Sequence, residues 1–174
     1  MSHMTIWTHR LETPIGTMGA AFDGEGYLTR LDFLMEGRPA NWAEPQTKRE
    51  DQAFGFLKAQ MDAYFRGSLR TFNVPHKATG TGFQKRVWAE LEGIPFGRTI
   101  SYLELANRLG NPQCIRAAGR ANGANPISIL IPCHRVIGSD GKLVGYGGGL
   151  PRKQALLELE GALPRHEAGP YGWA

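Results

Sequence analysis

Ile129-Leu130-Ile131-Pro132-Cys133-His134-Arg135-Val136-Ile137 is the stretch around which the 174-residue chain is organised. An apolar run enters it and an apolar pair leaves it. Between them a proline, a thiol, an imidazole and a guanidinium follow one another. β-Branched neighbours box in the thiol, so Cys133 is expected to be largely buried. A free cysteine is often only a small hydrophobe. The polar residues beside it, however, must find partners within an apolar run or folding is penalised. Pro132 fixes its own φ and removes a ladder donor, so a strand through Ile131 must end or bend there. That bend predicts that Cys133 and His134 leave strict alternation and face one pocket.

The length suits one large domain or two small ones. Met1-Ser2-His3 ahead of Met4 reads as a tag remnant. No apolar stretch approaches the roughly 20 residues needed to span a bilayer, and no signal segment opens the chain. A soluble, cytoplasmic protein without a membrane partner is expected. Two cysteines, Cys114 and Cys133, are too few for a secreted disulfide scaffold. With no CxxC they do not make a four-ligand zinc site by themselves. Both are expected as reduced thiols, with no metal bound. The net charge of +4 is uneven: residues 1–79 carry nine Lys/Arg against nine Asp/Glu, residues 80–174 eleven against seven. The positive excess lies wholly in the half that holds Cys133, which favours a polyanionic partner such as nucleic acid.

The first half reads as a meander and a helix. Thr5–Thr8 is β-prone, Thr13-Pro14-Ile15-Gly16-Thr17 reads as a turn, and Met18–Phe22 as a second strand. Asp23-Gly24-Glu25-Gly26 is a turn, after which Tyr27–Met35 alternates with Leu31, Phe33 and Met35 on one face. Residues 37–49 read as a polar loop. Glu50–Phe65 reads as a helix, with Phe54, Leu57, Met61 and Phe65 on its core face, and Thr71–Val74 as a short last strand. Lys77–Gly82 is a small-residue linker. It sets the expected domains at 1–79, α+β with an antiparallel sheet, and 80–174, mainly helical.

In the second half Phe83–Leu91 reads as a helix ended by Ile94-Pro95-Phe96-Gly97. Ser101 followed by Glu104 is a capping-box pattern for a helix over Tyr102–Leu109, stopped by Gly110-Asn111-Pro112. A third helix is expected from about Gln113 to Gly123, which makes Ser101–Gly123 a helix-turn-helix. Its second helix is short of the long polar side chains of a major-groove reader. It offers small residues with Arg116 and Arg120, which suit either close approach to a minor groove or close packing on another helix. Gly138–Gly149 is a glycine-rich loop with a lone Tyr146. Pro151 opens a last helix packed by Leu156, Leu157 and Leu159 and ended at Gly161, and residues 162–174 read as a tail.

Cys133, His134 and a carboxylate make a potential relay, with Glu158 and Glu160 as candidates. On a helix these two point about 200° apart, so only one can face His134. Taken alone, Glu160 beside the terminating Gly161 reads as a solvated surface charge. The motif Pro132-Cys133-His134-Arg135-Val136, preceded by Asn125-Pro126, resembles the signature of the bacterial O6-alkylguanine-DNA alkyltransferases. The resemblance extends over Phe83–Gly161 through Ile100-Ser101-Tyr102, Gly110-Asn111-Pro112, Arg116-Ala117, Gly145–Leu150, Leu156-Leu157 and Glu160-Gly161. It is looser in the first 79 residues, where it includes Thr13-Pro14-Ile15-Gly16 and implies a ribonuclease H-like fold.

The resemblance implies roles for these residues. Cys133 is the alkyl acceptor, His134 the base acting through a water, and Glu160 the group that orients it. Asn125 is the hinge that joins the DNA-reading helix to the active-site strand. Tyr102 donates to the guanine ring. Arg116 fills the base stack after extrusion, with Ala117, Arg120, Ala121 and Arg135 also on DNA. Pro132, Val136, Tyr146 and Gly147 line the pocket, and the carbonyls of Cys133 and Val136 face the exocyclic amine of guanine. Implied too are no cofactor, a single turnover, duplex DNA entered from the minor groove, and a monomer.

The chemistry is coherent. A buried thiol reaches O6 only if the nucleotide is flipped out, a thiolate is the nucleophile, and guanine leaves more readily when its ring accepts a proton or hydrogen bond. Some members carry serine where this chain has Gly147. Zinc-binding members place cysteines in the amino-terminal half, where this chain has none, and alkyltransferase-like proteins lack the acceptor cysteine. Two other readings fit parts of the pattern: a Cys/His/Glu hydrolase that turns over, and a non-catalytic DNA-binding regulator that needs no Cys133.

Overall fold

The computed structural model describes residues 7–35 and 52–165. The tag remnant, the first residues of the Thr5–Thr8 strand, the 37–49 loop, the start of the helix at Glu50 and most of the tail lie outside the described residues. The chain divides into two compact units between Ala78 and Thr79.

The first unit is built on an antiparallel sheet, β1 (Trp7–Thr13), β2 (Gly16–Phe22) and β3 (Leu28–Phe33), in that order. Both turns are set by short polar side chains. Thr13 Oγ1 accepts from the Ile15 N–H and donates to the Gly16 carbonyl. Asp23 Oδ1 accepts from the Glu25 and Tyr27 N–H groups, and Gly26 takes the φ of 89° that closes the turn. The central strand is buried from Met18 to Phe22, so Gly19, Ala20 and Ala21 keep it thin where both neighbours press. Helix α1 (Gln52–Phe65) packs on β1, where Phe54 stacks on His9 at 4.3 Å. Its buried face is Leu57, Met61 and Tyr64. Tyr64 takes the buried place expected of Phe65, which is half-buried with its ring edge-on to Tyr64 at 5.2 Å. Thr71–Val74 forms no strand. The chain just beyond it meets β3 through one isolated parallel bridge, Leu28 to His76.

The second unit begins with α2 (Gly82–Glu92), whose start is a reciprocal cap: Gln84 N–H to Thr81 Oγ1, Thr81 N–H to Gln84 Oε1. Two residues of β4 (Ile100–Ser101) lead into α3 (Tyr102–Arg108), where Ser101 Oγ accepts from the Glu104 N–H. The Glu104 carboxylate pairs with Arg108. Gly110, at φ 86°, makes the turn. The third helix is not continuous: Pro112–Cys114 is a 3-10 turn, and α4 runs over Ile115–Gly123. Pro112 and the Asn111 cap, which accepts from the Gln113 N–H, hold that first turn tight. Trp88 Nε1 donates to the Ala121 carbonyl and ties α2 to α4. Strand β5 (Val136–Ile137) pairs parallel with β4, Ile100 opposite Val136. That pairing sets the start of α3 beside the residues that follow Cys133. Helix α5 (Leu150–Leu159), with Pro151 in its first turn, closes the unit. Among the described residues no helix is long and apolar enough to cross a membrane.

Candidate active site

The apolar run before Cys133 is a buried turn and not a strand. Asn125 builds it. Its Oδ1 accepts from the Ile127 N–H at 2.9 Å, and its Nδ2 donates to the Ile131 carbonyl at 2.6 Å. Ile131 N–H returns to the Ile127 carbonyl. Between them Ile129 sits at φ 74°. A β-branched residue there is strained, at a cost on the order of 1–3 kcal/mol, and persists only where its surroundings enforce it. The enforcing contacts are the two arms of Asn125 and the burial of the Ile127, Ile129 and Ile131 side chains. The apolar run reads as a strand in the sequence because a tight buried turn draws on the same residues.

The chain leaves this turn through Pro132 into a 3-10 turn, Cys133–Arg135. Its three side chains fan inward, with Cys133 7% exposed and His134 fully buried. His134 Nε2 lies 2.8 Å from Glu160 Oε2. Arg135 grips the same carboxylate with two N–H groups, Nε to Oε1 at 2.8 Å and Nη2 to Oε2 at 2.9 Å, while Nη1 donates to the Ile94 carbonyl. Burial pushes the Glu160 carboxyl upward in pKa. His134 and Arg135 outweigh it and hold the group well below the usual carboxylate range. An ionised Glu160 requires the hydrogen of His134 on Nε2, which leaves Nδ1 a bare acceptor; that atom is buried and meets no hydrogen-bond partner in the structure. Glu160 is thus no surface charge. Glu158 is also buried, and accepts from Gln154 away from the relay.

The groups around the thiol come from three further elements. Tyr102, first in α3, donates its hydroxyl to the Val144 carbonyl at 2.8 Å. Burial and the neighbouring Cys133 charge raise its pKa, so the phenol keeps its proton. Lys153 of α5 is fully buried and donates to the carbonyls of Val136, Val144 and Gly145. Burial lowers its pKa to about 8 against the pull of Cys133. Lys153 thereby pins the glycine-rich loop to β5. Pro132 is buried, Tyr146 half-buried and Gly147 exposed. A Cβ added at Gly147 meets nothing within 4 Å, so the backbone there has room for a small side chain.

On α4, Arg116 and Arg120 are exposed and Ala117 is half-buried. Two expected DNA contacts are corrected. Ala121 is 2% exposed, packed under α2 where its carbonyl serves Trp88. Arg135 is buried with all three of its bonding nitrogens engaged inside the protein, so it is an internal counter-ion. Sequence reading missed Lys153 and Asn122, since a lysine next to Arg152 and an asparagine in a small-residue helix both look solvent-facing. Among the described residues no cluster of three or more His, Cys, Asp or Glu could hold a metal ion.

Comparison with known proteins settles the relationship. Residues 82–162 match the 6-O-methylguanine DNA methyltransferase DNA binding domain, and residues 6–78 match the ribonuclease-like domain of the same proteins. The chain belongs to the 6-O-methylguanine DNA methyltransferase family. The Methanosarcina acetivorans methylated-DNA–protein-cysteine methyltransferase is 46% identical over 156 residues, covering 87% of this chain and 96% of its own. The crystal structure of Mycobacterium tuberculosis O6-methylguanine methyltransferase superposes with a TM-score of 0.81 at 44% identity, covering 91% of this chain and 94% of that one. A structure of the same protein in complex with DNA gives 0.78 at 45% identity, covering 89% and 92%.

Proposed function

We propose that this methyltransferase-family protein repairs DNA by direct reversal, moving an alkyl group from O6 of guanine, and from O4 of thymine, irreversibly to Cys133. The observation that carries the reading is the buried His134–Glu160 pair directly after an inward-facing thiol. The Cys133 proton passes through a water to Nδ1 of His134, and Glu160 stabilises the imidazolium. The Lys153 ammonium favours the thiolate. The sulfur attacks the alkyl carbon, the carbon–oxygen bond breaks, and the electron pair leaves on guanine. Tyr102 donates to the ring as that charge develops. A thioether remains and nothing regenerates the thiol, so each chain acts once, without a cofactor. In this reading the partner is duplex DNA, bound as a monomer from the minor groove, and the setting is the cytoplasm. The guanine is flipped out while Arg116 occupies the vacated stack.

Mixing the protein with a duplex containing O6-methylguanine should add one methyl per chain, mapped to the Cys133 peptide. A methyl on Cys114, half-buried at the head of α4, would sink the assignment, and repeated turnover would favour a hydrolase. A second expectation concerns extrusion. Arg116→Ala should slow repair of duplex lesions far more than reaction with free O6-benzylguanine, because a finger matters only when a base leaves a stack. Once the unmodified protein is shown to react with the free base, equal losses on both substrates would make Arg116 structural.

A further inference from the structure

Helix α4 carries an amide on its inner face. Asn122 is 5% exposed and shares that face with Ala118 and Ala121. Small apolar residues suit such packing, whereas a buried amide lowers stability unless it is hydrogen-bonded. Its bonds within the protein are poor. Nδ2 donates to the Cys133 carbonyl over 3.4 Å, long for such a bond, and the amide lies near the Tyr102 phenol, where it favours the ionised form. Oδ1 is buried and meets no donor. Exchanging the two ends would set Oδ1 against the Cys133 carbonyl, acceptor to acceptor, so the carbonyl fixes the orientation. The fold holds a buried acceptor that it does not use.

The neighbours of that acceptor indicate its partner. The Cys133 carbonyl and the Tyr102 hydroxyl are groups assigned above to the exocyclic amine and ring of the extruded guanine. The Val136 carbonyl, assigned to the same amine, already accepts from Lys153 Nζ at 2.6 Å, which leaves one of the two amine hydrogens for another acceptor. The minor-groove edge of guanine sets the N2 amino donor beside the N3 acceptor. A carboxamide presents the complementary pair, an acceptor oxygen beside an N–H donor. We propose that Asn122 is a specificity-determining residue that reads this edge, its Oδ1 accepting from the exocyclic amine of the purine. The inference rests on the alkyl-transfer reading and deepens it. Thiolate attack alone does not distinguish purines, because the alkyl carbon is the same on any 6-oxygen. A base without the 2-amino group leaves Oδ1 unsatisfied and is disfavoured against guanine.

The test compares single-turnover transfer from duplexes carrying O6-methylguanine or O6-methylhypoxanthine, the same base without its 2-amino group. The unmodified protein should be slower on the second by about tenfold or more. N122L and N122A should be slowed on methylguanine by a similar factor, and the preference between the two bases should shrink by about tenfold in both. The ratio of rates on one preparation is independent of the fraction folded. Leucine fills the site and alanine empties it, so a change common to both reads the lost oxygen and not the repacking. Equal slowing on the two bases would make Asn122 structural and overturn the proposal, as would an unchanged preference. No transfer from either duplex by the unmodified protein would bring down the alkyl-transfer reading itself.

Discussion

Glu160→Gln is expected to slow alkyl transfer to Cys133 by about 10²–10⁴-fold, the usual worth of general-base assistance, with DNA affinity nearly unchanged. The carboxylate does two things for His134 through one contact of 2.8 Å. Its charge keeps the ring hydrogen on Nε2 and so leaves Nδ1 free to accept, and it stabilises the imidazolium that forms when the thiol ionises. Glutamine retains the shape. Arg135 donates toward both oxygen positions, so the glutamine NH2 must face an N–H wherever it points. The position that serves both His134 and Arg135 will take the oxygen, and the NH2 will oppose Arg135 Nε. The pair keeps a hydrogen bond and loses its charge. Transfer should then recover as pH rises and the thiol ionises unaided, over a range in which the unmodified protein has levelled off. Single-turnover rates across pH, beside a DNA titration of the same variant, measure this. A variant with unaltered rate and pH profile would remove Glu160 from the relay. Glu158→Gln is the control, since Glu158 is bonded to Gln154 and serves no part of the site.

Much of this site was legible in the sequence, for identifiable reasons. Cys133 and His134 stand inside an apolar run, where polar groups are retained only with partners, and the parallel pairing of Ile100 with Val136 gathers the flanking motifs around them. The helix-turn-helix was legible through Ser101, Gly110 and Pro112, each of which has a local backbone reason to be where it is. What was not legible depended on long-range packing. Buried turns and buried strands draw on the same residues, so nothing at Ile129 itself announced its φ of 74°; Asn125 enforces that from four residues away, through bonds to Ile127 and Ile131 on either side. Arg135, Lys153 and Asn122 are polar in sequence and internal in the fold. Their partners are Glu160 for Arg135, the Val136 carbonyl and the loop carbonyls for Lys153, and Cys133 for Asn122, none of them within four residues of the side chain it meets.

Arg135→Met is expected to destabilise the protein by about 3–5 kcal/mol, the range for removing one partner of a buried ion pair. Methionine keeps much of the stem volume, so the loss isolates the guanidinium. Two consequences follow from its three bonds. The Ile94 carbonyl loses its donor, and Glu160 keeps only His134 against the burial that disfavours its charge. The pH dependence has a definite sign. In the unmodified protein the Glu160 carboxyl titrates well below an unfolded value of about 4.3, so its contribution is complete above that pH and is lost as pH falls through the folded value. In R135M the folded pKa rises, and the acid loss of stability begins at higher pH. Urea unfolding between neutral and acid pH reads both effects. Arg135→Lys restores a charge without the planar fork that spans both carboxylate oxygens, and should recover only part of the loss. The decisive comparison is the double variant R135M/E160Q. Each single change strands a buried charge that the other removes, so the double variant should be more stable than the sum of the two losses predicts, by about 0.5–3 kcal/mol. Strict additivity would show that Arg135 is held by packing and not by Glu160. It would also sever the link by which a residue outside the proton path keeps the carboxylate of the relay ionised.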